Sequence, residues 1–234
     1  MACIETCKYG PLDRSLADRE FWVVTGDWVR RSRHALHKQE HFEALIYLWI
    51  SFNAWVGRVV EDRAMSQRDR FLVASAAMDE LLSARFSRLL QADGKTAEAA
   101  RRFHSFWPVF KARSLSDLGL YPWGDPDYDP RTEFRAKCFR AGLKRGDWAP
   151  RCFVYHQPEG TSPAGYDPAY VPLDWTHTLH AIYMVRCNLF HGGKSFRYSG
   201  DAEFVKVAAV LLSAVWLDGE RPCQRKAPRS PSTA

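Results

Sequence analysis

The stretch DWTHTLHAIYMVRCNLFHGGK, Asp174 to Lys194, decides the fold. Its spacing predicts one helix that ends at a double glycine. At about 100° of rotation per residue, Leu179, Ile182, Val185, Leu189 and Phe190 share one broad apolar arc. Asp174 suits the N-cap, where a short carboxylate accepts from the open N–H groups of the first turn. Gly192 and Gly193 offer the left-handed conformation that closes a helix. Arg186 falls close to the middle of the arc. A guanidinium cannot shed its proton and is costly to bury unpaired, so the apolar pattern alone does not account for it. His191 follows at the helix end, roughly 140° round and about 7 Å along the axis.

That position balances the histidine. The negative end of the helix macrodipole favours imidazolium, and a nearby Arg186 or Lys194 disfavours it. A group so balanced can both accept and donate a proton near neutrality. The same two residues also fit a simpler arrangement, a helix-capping histidine and an arginine paired to a core carboxylate. Spacing alone leaves both open.

Working outward, a final helix is expected over Asp201 to Leu217, with Phe204, Val207, Ala208, Leu211 and Val215 as its stripe. Upstream, the run ALIYLWISFNAWV (44–56) lies in a helix expected from Lys38 to Glu61 and apolar on nearly every face. Phe42, Ile46, Trp49, Val56 and Val60 form its expected stripe, and Asn53 falls on it. A buried asparagine needs a partner, either a backbone carbonyl or a polar group packed against this helix. A first helix is expected over Leu16 to His34, with Phe21, Trp22, Val24, Trp28 and Val29 inward. It closes on Arg30, Arg31 and Arg33, which suits a helix C-terminus or a phosphate patch. Ser66 to Asp69 reads as a capping-box variant opening one helix that runs to about Ala92. Another covers Thr96 to Trp107, stopped by Pro108.

Residues 108–172 hold nine of the thirteen prolines and read as a long loop insertion around one helix, about Thr132 to Lys144. Trp123, Tyr128, Trp148, Tyr155 and Tyr166 there can stack on bases or anchor the loops. No strand alternation or internal repeat is present. The fold expected is all-α, an antiparallel helical bundle forming a single domain over 13–218, with a disordered basic tail at 219–234.

Composition sets outer limits. With 46% apolar and 14% aromatic residues the chain can bury a large core. No run approaches about 18 uninterrupted apolar residues, so no membrane span is expected. The opening MACIETCKYGPLDR lacks an export signal, and the six cysteines show no CxxC pair, which points to reduced thiols in a cytoplasm. His34, His37 and His41 make an HxxHxxxH run that no cysteine or carboxylate pattern completes, so no metal site is assigned. Of the net charge of +6, half comes from the last sixteen residues, which hold four Arg/Lys against one Glu. The rest is mildly basic, compatible with phosphate binding without demanding it.

RCNLFHGGK (186–194) resembles the R-x4-6-H signature of HEPN domains, and LWISFNAW (48–55) is similar to a helix motif of bacterial members of that superfamily. The final apolar helix after the histidine is a weaker third match. The resemblance covers about residues 15–92 and 173–218. It implies a metal-independent endoribonuclease whose helical bundle dimerises so that two R-x4-6-H motifs face one cleft. The substrate implied is single-stranded or looped RNA, no cofactor is implied, and many members are toxins or antiphage effectors, some held by an antitoxin. Other members have lost activity and serve as binding or scaffolding partners of nucleotidyltransferases and similar proteins, which makes an inactive RNA- or nucleotide-binding or protein-interaction module the alternative. Carried over by position, Arg186 is the charge stabiliser and His191 the acid/base. Lys194 and Asn188 are candidate substrate contacts, with Asn53 in support. Cys187 departs from the family, where the residue after the arginine is commonly Asn. Cys187, His177, His180, Met184 and His191 share a face that is either a two-fold seam between subunits or a surface packed under the loops.

Overall fold

The computed structural model describes residues 12–60, 69–92, 94–104, 173–190 and 199–218. These residues are helical, and the only β pairing among them is an isolated antiparallel bridge between Leu12 and Val60. The order is α1 (Arg19–His37), α2 (His41–Val59), α3 (Asp69–Ala77), α4 (Glu80–Gln91), α5 (Lys95–His104), α6 (Trp175–Phe190) and α7 (Ser199–Leu212). A short 3-10 turn, Arg14–Leu16, precedes α1, and a π-helical turn, Ser213–Leu217, extends α7. The all-α class expected from the sequence is the observed one. The segment expected as a loop insertion and the basic tail lie outside the described residues.

Helices α1 and α2 pack as an antiparallel pair. Asp18 caps α1 by accepting from the Phe21 N–H at 2.8 Å. At the other end Gln39 takes φ 61°, Gln39 N donates to Leu36 O at 3.1 Å and Glu40 N to Ala35 O at 2.9 Å. That paired closure is a Schellman motif, built here on a residue that carries a Cβ. The turn sends the chain straight back, and Asp13 N reaches Val59 O at 2.7 Å. The buried residues of α1 are Thr25, Val29, Ser32 and Ala35, and Trp28 meets Tyr47 of α2 at 5.9 Å. Of the inward residues expected on α1, Val29 is buried and Phe21 and Trp22 are half-buried, whereas Val24 is 71% exposed and Trp28 38%. Small and hydroxyl side chains fill the seam because they let the two backbones approach; Ser32 satisfies its hydroxyl on Val29 O at 2.7 Å.

The floor of the core is aromatic. Trp49, Phe52 and Trp55 of α2, Trp175 of α6, Phe86 of α4 and Trp216 of the π turn are all fully buried. Phe52 meets Trp216 edge-on at 5.4 Å, and Phe86 lies 6.1 Å from Trp175. Complete burial of a side chain of this class stabilises by about 1.5–3 kcal/mol or more, so this set dominates the apolar driving force. The buried stripe of α2 runs through Leu45, Leu48, Phe52, Trp55 and Val59, with Trp49 and Val56 beside it. Phe42 and Ile46 sit at its margin, and Glu43 and Ala54 face solvent, so α2 is not enclosed on every side as its composition predicts. The helix that is enclosed is α3, where every residue from Phe71 to Ala77 is buried.

The single helix expected through Ala92 is two. It breaks at Met78 and Asp79, where Asp79 takes extended backbone and caps α4 by accepting from Leu82 N at 2.9 Å. The same carboxylate receives both Nη atoms of Arg14, at 2.6 and 3.1 Å. The C-terminal carbonyls of α3 are closed by α6: Trp175 Nε1 donates to Ala76 O and Thr176 Oγ1 to Ala77 O, each at 2.9 Å. Side chains from another helix thus satisfy the open acceptors that every helix end presents. On the far side α5 meets α7 through Phe103 and Phe204, at 6.5 Å, and through Arg102 and Glu203, at 3.3 Å.

Candidate functional site around Arg186

Helix α6 carries the site, and its two halves differ. In the first, Asp174 accepts from His177 N at 2.8 Å, the cap expected from the sequence. The same Oδ1 lies 2.7 Å from His177 Nδ1, so one carboxylate closes the helix and orients the ring. One turn on, His180 is pushed down to about 4, first by burial and next by His177, with Asp174 opposing. His177 and Met184 are buried within one chain. For those two residues the shared face is packed inside the chain rather than offered as a subunit seam.

The second half holds Arg186. Its side chain is 19% exposed, and Nη1 lies 3.2 Å from Asp69 Oδ2. Asp69, 35% exposed, is the first residue of α3. Its other oxygen receives Asn53 Nδ2 at 3.4 Å, a long contact across from α2. The guanidinium carbon is 5.4 Å from the Trp49 ring centre and 4.6 Å from that of Phe190, both within cation–π range. Nη1 also sits 3.9 Å from the free thiol of Cys187. Burial pushes the Tyr183 hydroxyl up to about 12, with Cys187 and Asp69 adding to the shift and Arg186 opposing it. The Tyr183 ring lies 5.8 Å from Trp49.

Two donors at the site are unmet. Arg186 Nε and Trp49 Nε1 are both buried with no hydrogen-bond partner among the described residues. An unmet buried donor costs about 1–3 kcal/mol.

The structure therefore joins two of the residues singled out in the sequence, Arg186 and Asn53, through Asp69. Asn188 is not joined to them. It is buried, and two positions along a helix place it about 200° round from Arg186. His191 and Lys194 lie outside the described residues. Phe190, assigned to the apolar arc, is 47% exposed at the end of α6. The residue that sequence reasoning missed is Asp69. It was legible as a helix-start acid, but nothing local tied it to an arginine on a distant helix. Among the described residues no three His, Cys, Asp or Glu side chains converge as a metal site. No helix among them is long and apolar enough to cross a membrane.

Comparison of the chain with protein-family models, with characterised proteins and with solved structures gives no match.

Proposed function

We propose that the chain is a HEPN-type endoribonuclease that cuts RNA through its own 2′-hydroxyl and needs no metal to do so. What supports the reading is one observation: Arg186 is held at a three-helix corner by a single carboxylate contact, with an unmet Nε donor. An arginine so held can stabilise a phosphodiester undergoing attack, because charge grows on the phosphoryl oxygens as the 2′-oxygen attacks. His191, the residue after the end of α6, takes the 2′-hydroxyl proton or supplies one to the departing 5′-oxygen. The products are a 2′,3′-cyclic phosphate and a 5′-hydroxyl. A second copy of the chain, bringing a second R-x4-H motif to one cleft, is part of the proposal, as is a role as toxin or antiphage effector.

The test is RNA cleavage in EDTA by the wild type and by His191→Ala, with end-group analysis of the products. General acid–base catalysis is worth about 10²–10⁴-fold, so the variant should lose that much. Equal cleavage by the two removes the mechanism.

A second reading is a non-catalytic module that binds RNA, nucleotide or a partner protein through the same corner. Cys187 after the arginine favours it, and so does the carboxylate already on the guanidinium. RNA retention with no cleavage under any condition would select it.

A further inference from the structure

Resting on the nuclease reading, the geometry points to Asp69 as a positioning residue: it pins the Arg186 guanidinium through Nη1 and so sets the direction in which the rest of the group meets a phosphate oxygen. Three observations converge on this. The carboxylate meets the guanidinium at Nη1, with Oδ2 3.2 Å away. Asn53 holds the opposite oxygen of the same carboxylate, so the anchor is itself anchored to α2. The Trp49 and Phe190 rings flank the guanidinium and restrict its swing.

The arrangement has a cost that gives it a signature. A carboxylate beside the arginine weakens the pull on an incoming anion. It fixes, in exchange, the direction in which the charge meets the developing transition state, where small misplacements are expensive. Asp69 should therefore raise kcat while doing nothing for substrate affinity.

The experiment is steady-state RNA cleavage by the full chain carrying Asp69→Asn or Asp69→Glu, beside the wild type. Asp69→Asn is expected to lower kcat about ten- to a hundred-fold with KM unchanged or lowered. Asp69→Glu, which keeps the charge, should recover part of the loss. A rise in kcat/KM for Asp69→Asn would instead make Asp69 a plug that blocks the arginine, and would overturn the proposal. So would unchanged kcat and KM, or a loss that only follows the folded fraction and is not recovered by Asp69→Glu. Nitrogen NMR of arginine-labelled protein gives a readout that needs no activity. The Arg186 guanidinium should rotate slowly about Nε–Cζ in the wild type and faster in Asp69→Asn, and equal rotation overturns the positioning role. A wild type that fails to cut RNA removes the nuclease reading, and the NMR comparison still decides whether Asp69 fixes the arginine.

Discussion

The two ends of α6 are built on opposite terms. At the amino end the groups are closed off: Trp175 is buried and bonded to Ala76, Thr176 closes Ala77, and Asp174 caps the helix while holding His177. At the carboxyl end a charge is left partly open, with Asp69 on one nitrogen, aromatic rings beside it and a donor unmet. One helix thus anchors itself with its first turn and carries a polar corner along its last turns. Burial alone does not separate the two ends. Satisfaction of the buried polar atoms does.

The comparison breaks if the amino end proves dispensable. Trp175→Ala removes the largest side chain of that end and orphans the Ala76 carbonyl, so it should cost about 3–5 kcal/mol in urea unfolding. A loss under about 1 kcal/mol would mean the anchor is elsewhere. The acid response sharpens the same point. The folded value of His180, about 4, lies below its ordinary 6.5, so the unfolded chain takes up the proton first as pH falls. Its contribution is whole above 6.5 and is lost as pH drops toward 4. Thermal midpoints measured across that window should fall less in His180→Phe than in the wild type. The smallest effect is expected at the open end. Breaking a sealed ion pair costs about 3–5 kcal/mol, but Asp69 keeps enough exposure to be hydrated, so Arg186→Met should cost under about 1 kcal/mol. A loss of the sealed-pair size would make Arg186 a structural residue like those at the other end.

Periodicity carried the helices whose contacts are local in pattern. The register of α6 with its Asp174 cap follows from spacing, as does the final stripe, where Val207, Ala208, Leu211 and Val215 are buried and Phe204 is half-buried. Other features were hidden for physical reasons. The apolar rhythm from Phe71 to Leu89 continues across Met78, so the break depends on Asp79 finding both Leu82 and Arg14, a partner far away in the chain. The buried face of α1 is lined by Thr25, Ser32 and Ala35 beside Val29, while Val24 and Trp28 stay exposed, and small polar side chains carry no apolar signal in the sequence. The site was half legible for the same cause. An arginine on an apolar arc announces that a carboxylate must exist, and says nothing of which helix supplies it.

The contact between Arg14 and Asp79 changes where this molecule can be cut. Asp79 is shared between the start of α4 and a residue that lies ahead of the first long helix. A fragment begun at Arg19 would look complete on a secondary-structure diagram, yet it would give up this clasp and the Leu12–Val60 bridge together. The folding unit therefore begins before its first long helix, and any recombinant boundary should keep Leu12 and Arg14.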